Sequence, residues 1–108
     1  EICEALNEDG EYSRSYFLHG LSVESAEGLA EYMHRRIKSE LGMESGQGKR
    51  YSHGYPACPN LEDNKTILEL LDNGGILGVE LTSAFQFIPE QTTAALIAHH
   101  PRAEYFSV

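Results

Sequence analysis

Residues 60–82 read Asn60-Leu61-Glu62-Asp63-Asn64-Lys65-Thr66-Ile67-Leu68-Glu69-Leu70-Leu71-Asp72-Asn73-Gly74-Gly75-Ile76-Leu77-Gly78-Val79-Glu80-Leu81-Thr82, and the hydrophobic period changes inside them. Up to Leu71 the spacing is helical. Asn60 is placed to cap the start, Leu61, Ile67, Leu68, Leu70 and Leu71 form the expected buried side, and Asn73-Gly74-Gly75 is the stop. Beyond the glycines the period falls towards 2, and residues 76–82, 85–88, 93–99 and 104–108 read as four short strands. Their connections are short, which favours antiparallel neighbours, and His100-Pro101-Arg102 reads as the turn between the last two. Helices first and strands later predict an α+β fold, with helices packed on a mostly antiparallel twisted sheet.

Upstream, Val23, Ala26, Ala30, Met33, Ile37 and Leu41 recur at spacings of three and four, which predicts a helix over 22–41 with one apolar stripe. Ser22 is its expected cap, Glu24 and Glu27 lie in its first turns, Arg35, Arg36 and Lys38 in its last, and Gly42 follows. Residues 1–20 carry no sustained period and read as irregular or weakly helical. Residues 42–59 hold four glycines and two prolines, too many breakers for a regular element. A loop of that length containing Arg50, Tyr51, His53, Tyr55 and Cys58 points to function.

Composition narrows the classes. With 108 residues, 41% hydrophobic and 23% charged, the chain has the balance of one folded domain. Eight basic against 17 acidic residues give a net charge of −9, which repels phosphate backbones and anionic membrane surfaces and favours a cationic ligand or a basic partner. Cys3 and Cys58 show neither a disulfide framework nor zinc-ligand spacing, so reduced thiols and a cytoplasmic setting are expected. His99 and His100 are adjacent and would point to opposite faces of a strand, which excludes a shared metal.

The decapeptide Arg50-Tyr51-Ser52-His53-Gly54-Tyr55-Pro56-Ala57-Cys58-Pro59 resembles the signature loop of the activation, or reactivation, domain of cobalamin-dependent methionine synthase, which binds S-adenosylmethionine. The likeness continues through Asn60-Leu61-Glu62-Asp63, Gly78-Val79-Glu80-Leu81-Thr82 and His100-Pro101, and into Tyr105-Phe106-Ser107-Val108. Upstream it takes in Leu29-Ala30-Glu31-Tyr32-Met33-His34, so that it covers most of residues 16–108.

By position, the resemblance implies that Arg50 holds the ligand's carboxylate, that Tyr105 and Phe106 line the same site, and that Tyr55 stands between S-adenosylmethionine and an incoming corrin. It adds Glu44 and Glu27 as acids meeting the ligand, with Gly54 and Ala57 serving backbone placement. Phe106 replaces a second tyrosine found in some relatives. The residue chemistry agrees: a guanidinium offers a planar fork to a carboxylate, Gly54 beside Pro56 allows close backbone approach, and carboxylates suit a sulfonium. Each residue also has a plainer reading. Arg50 and Glu44 serve as surface charges, Glu27 as a first-turn acid on the helix dipole, and Tyr55 as a core-filling aromatic. Cys58 has no His or Lys neighbour in sequence that would make its thiol a nucleophile.

The activity implied is reductive remethylation of cob(II)alamin as part of a methyltransferase of methionine biosynthesis. S-adenosylmethionine is the methyl donor, cobalamin is carried by a corrin-binding domain, and flavodoxin or a similar reductase supplies the electron. The resemblance further implies that residues 1–108 are the C-terminal portion of one activation domain, with an expected acidic ligand residue lying before them, and that the fragment alone is inactive. The alternative is an acidic, non-catalytic docking module for a corrin-binding domain or a redox partner, read from the charge of −9. A nucleotide-binding enzyme of another kind lacks support, since no Gly-rich fingerprint followed by Lys and Ser or Thr is present.

Overall fold

A computed structural model describes residues 2–43, 47–72 and 74–103. Two helices open the chain, α1 (Ile2–Glu8) and α2 (Tyr12–Glu40). Then come β1 (Lys49–Tyr51), a 3-10 turn over Leu61–Asp63, α3 (Asn64–Leu71), β2 (Glu80–Leu81), β3 (Phe87–Ile88) and β4 (Leu96–Ala98). The α+β class holds, but among the described residues the strands form two antiparallel pairs, β1 with β4 and β2 with β3, in place of one continuous sheet. The strand expected over 104–108 lies outside the described residues.

The long helix departs most from expectation. It begins at Tyr12, so the stretch read as irregular supplies a helix and the first turns of another. Ser22 therefore caps nothing; its hydroxyl donates back to the Leu18 carbonyl at 2.8 Å, one helical turn earlier. The apolar stripe also shifts. Val23, Ala26, Ala30 and Ile37 are half-buried, but Met33 is exposed and His34 takes the buried position between Ala30 and Ile37. Residues three and four beyond Ala30 both border its face, and only the direction of packing chooses between them. His34 Nδ1 lies 3.8 Å from a Glu31 carboxylate oxygen, while its Nε2 is buried without a hydrogen-bond partner among the described residues.

Helix α1 folds back on α2 through a reciprocal contact: Ser15 Oγ donates to the Cys3 carbonyl at 3.1 Å, and the Cys3 thiol faces the Ser15 carbonyl at 3.7 Å. Both cysteines carry free thiols. Asn60 caps as expected, its side-chain oxygen accepting from the Glu62 N–H at 3.1 Å, though what it caps is the 3-10 turn leading into α3. The helix itself buries one position well, Ile67, with Leu61 and Leu68 half-buried; Leu70 and Leu71, expected inside, are 78% and 71% exposed. Of its expected stop Asn73-Gly74-Gly75, Asn73 falls outside the described residues, while Gly75 takes a left-handed backbone (φ +69°) and Asp72, just after the helix, accepts from the Ile76 and Leu77 N–H groups.

The molecule is elongated, about 50 × 31 × 29 Å, with a radius of gyration of 16.4 Å, against roughly 13 Å for a compact domain of this length. No described helix is long and apolar enough to cross a membrane. Ile67 is the sole buried apolar side chain among the described residues. Its truncation, Ile67→Ala, is expected to cost about 2–3 kcal/mol, at the lower end for a buried isoleucine. A urea midpoint equal to that of the unaltered chain would remove Ile67 from the core.

Candidate functional site

The site is assembled at β1. Three residues are too few to show a period, and β1 lies in the segment expected to be irregular; it is a strand because Lys49, Arg50 and Tyr51 pair with Ala98, Ile97 and Leu96. A left-handed glycine precedes it. Gly48 has φ +75°, and a Cβ there would displace the end of the Met43 side chain and come within 3.0 Å of the Ala98 carbonyl, so the left-handed backbone and this close passage together favour glycine. Alternation along β1 then sends Arg50 to the side opposite Lys49 and Tyr51, where it reaches α2. Arg50 Nη2 donates to Glu27 Oε2 at 3.2 Å, with the arginine side chain only 19% exposed.

Because α2 begins at Tyr12, Glu27 sits in its middle and not in its first turn, which removes the helix-dipole reading of this acid. The same correction applies to Glu24. One turn further on, Glu31 is held below its ordinary pKa, first by the hydrogen bond that Arg35 donates to it and then by the nearby positive charges, that of Arg50 among them.

Beyond β1 the chain turns tightly. Gly54 N–H donates to the Cys58 carbonyl at 2.8 Å and Cys58 N–H to the Tyr55 carbonyl at 2.9 Å. Gly54 has φ +89°, and a Cβ there would lie 3.1 Å from Leu61 Cδ1. The turn walls a cavity of about 330 Å³ lined by Glu27, Arg50, Tyr51, Ser52, Tyr55, Pro56 and Ala57, within the roughly 300–1,000 Å³ usual for small-ligand pockets. A wider, open cleft of about 1480 Å³ adjoins it and shares Glu27, Ser52 and Tyr55. Tyr55 is 65% exposed, so it forms the rim between the two spaces and does not fill a core.

Of the residues expected at the site, Arg50, Glu27, Tyr55 and Ala57 therefore line one pocket, and Gly54 shapes its wall. Glu44, Tyr105 and Phe106 lie outside the described residues. Ser52 has no role in the sequence reading, and Tyr51, named there in the loop, has no place at the site, although Ser52 follows Arg50 by two residues, the spacing that places side chains on one side of an extended segment. A third omission is Asn64, 4% exposed, whose Oδ1 lies 3.1 Å from His53 Nδ1 and whose Nδ2 donates to the Phe85 carbonyl at 3.0 Å. Nothing in a lone Asn inside a helical pattern announces such a role. Among the described residues no group of three or more His, Cys, Asp and Glu is placed to hold a metal ion.

This arrangement, a helix acid facing a strand arginine across a glycine-turned loop, defines a small-ligand pocket on an α+β scaffold. The whole chain, residues 1–108, matches the vitamin B12 dependent methionine synthase activation domain, and it belongs to that family. It is 39% identical over 110 residues to the methionine synthases of Mycobacterium tuberculosis (strain ATCC 25618 / H37Rv) and Mycobacterium leprae (strain TN). Each alignment covers 84% of this chain and 9% of the relative, so the chain matches a small part of those enzymes. A crystal structure of the MetH reactivation domain bound to AdoHcy superposes with a TM-score of 0.85 at 28% identity, covering 98% of this chain and 37% of that one. The family read from the loop and the α+β class are both borne out.

The turn at Gly54 is open to a direct check. Substitution Gly54→Ala places a side chain in the left-handed region and against Leu61, and is expected to cost roughly 1–2 kcal/mol. Thermal unfolding of the two proteins reads this as a lowered midpoint; an unshifted midpoint would mean the positive φ is not required.

Proposed function

We propose that this chain holds S-adenosylmethionine in the pocket between α2 and residues 50–57, and presents its methyl group for the reductive remethylation that returns a cobalamin-dependent methionine synthase to activity. The observation that carries this reading is the Arg50 and Glu27 pair on one wall of a pocket of about 330 Å³, in a chain whose solved relative is described as bound to AdoHcy. One N–H of Arg50 is engaged by Glu27, which leaves the rest of its five-donor fork for a ligand carboxylate. The Glu27 side chain is 53% exposed and lines the same pocket, where its carboxylate complements an ammonium or a sulfonium. An amino-acid end with both charges therefore meets both of its counter-charges at one point of the wall.

S-adenosylmethionine held by Arg50 and Glu27 would supply an electrophilic methyl group and leave as the thioether S-adenosylhomocysteine, and cobalamin, brought by a corrin-binding domain, would supply a cobalt able to accept that methyl group after a one-electron reduction by flavodoxin or a similar reductase. The chain's own part is to bind and orient. Gly54 lets the backbone approach the ligand, Ala57 keeps the wall low, and Tyr55 at the rim packs against whatever enters the open cleft while its hydroxyl stays wet. The open cleft, bordered by Glu27, Ser52 and Tyr55, is the approach assigned to the corrin-binding domain. Glu44, Tyr105 and Phe106 complete the set by resemblance. A cytoplasmic setting accords with the free thiols of Cys3 and Cys58.

Isothermal titration of the full-length protein with S-adenosylmethionine tests the assignment. Arg50→Ala is expected to weaken binding about 10- to 100-fold, the value of a charge-assisted hydrogen bond of about 1.5–3 kcal/mol. No binding by the unaltered protein, or binding untouched by the substitution, would refute it.

A further inference from the structure

Outside the pocket, the most constrained polar side chain is Asn64, the first residue of α3. An Asn at a helix start ordinarily turns its oxygen onto the N–H groups of the first turn. This one does not. Instead it reaches across the fold and joins two segments distant in sequence, His53 in the loop after β1 and Phe85 in the turn between β2 and β3.

The chemistry of the two contacts fixes their direction. Nδ2 is spent on the Phe85 carbonyl, which leaves Oδ1 to face His53; a carbonyl oxygen only accepts, so His53 Nδ1 carries the proton and donates. Both neighbours of His53 matter to the pocket: Ser52 lines it, and Gly54 is the left-handed turn. Phe85 is itself the one non-glycine residue with positive φ (61°) among those described, and its turn is closed by Thr82, whose Oγ1 accepts from the Ala84 and Gln86 N–H groups at 3.2 Å each. The anchor on the far side of Asn64 is thus a rigid turn.

We infer that Asn64 is a positioning residue of the ligand pocket, clamping residues 52–58 to the β2–β3 turn by holding His53 as its Nδ1–H tautomer. The inference rests on the S-adenosylmethionine reading for its effect on binding, but the clamp itself is a property of the loop. The amide serves both contacts at once, whereas Asp offers no donor to Phe85 and Leu offers nothing to either.

The experiment pairs hydrogen-exchange mass spectrometry with S-adenosylmethionine titration on the full-length protein, for Asn64→Leu, His53→Ala, the double variant and His53→Asn. Each of the first two is expected to speed exchange across 52–58 and to weaken the ligand about tenfold, the value of one hydrogen bond. The double variant is expected to be no weaker than the poorer single, since both remove the same contact. His53→Asn, which keeps a donor near the place of Nδ1, is expected to stay close to the unaltered affinity. Because His53 lies in a loop, its variants fold even where Asn64→Leu fails to. The clamp is overturned if His53→Ala leaves exchange at 52–58 unchanged, if the two losses multiply in the double variant, or if stability falls while affinity stays the same. If the unaltered protein binds no S-adenosylmethionine, the functional reading fails and the exchange data still decide the clamp.

Discussion

The pairing of Lys49–Tyr51 with Leu96–Ala98 is the constraint on which the site depends. It brings together segments from the middle and the end of the described chain, sets the side from which Arg50 leaves its strand, and so decides that the guanidinium meets Glu27 on α2. A slip of one residue would send Arg50 to the opposite side, and the pocket would lose its charged wall. The left-handed glycine before the strand and the left-handed glycine after it, Gly48 and Gly54, let so short a strand be entered and left at these angles.

With little apolar surface buried, orientation in this molecule is carried by polar contacts between elements. Ser15 and Cys3 lock α1 to α2, Arg50 and Glu27 join β1 to α2, and Asn64 ties the loop to the β2–β3 turn. An ion pair as exposed as that of Glu27 is worth little as stability, about 0–1 kcal/mol; its consequence is geometric. Such contacts select one arrangement among several of similar burial, which is what a pocket needing defined donors requires. The exposed aromatic and aliphatic side chains of α2, Tyr16, Phe17, Leu21 and Tyr32 among them, take no part in that selection.

Much of this was legible in the residues. Periodicity found α2 and α3, the change of period after Gly75 marked the passage from helix to strand, and the loop from Arg50 to Pro59 disclosed the family. The misses have physical causes. The first turns of α2 carry Tyr12, Tyr16 and Phe17 on its exposed side, so no apolar stripe announced them. Leu70 and Leu71 read as core because a helix wheel shows which residues share a face, not whether anything covers it. His34 displaced Met33 for a related reason: local spacing leaves the two equivalent, and only the neighbouring surface distinguishes them.

The sequence by itself determined the family, the α+β class, the capping of the turn at Asn60 and the identity of the loop that walls the pocket, because these follow from short-range periodicity and from a contiguous motif. Tertiary structure alone decided that Glu27 faces Arg50, that the strands divide into two pairs, and that Asn64 holds His53. None of the three follows from a local period: Glu27 and Arg50 are 23 residues apart, His53 and Asn64 are 11 apart, and β1 pairs with β4, Lys49 opposite Ala98. Their existence depends on register and on the direction in which a helix is laid down, and neither quantity is written in any local stretch of residues.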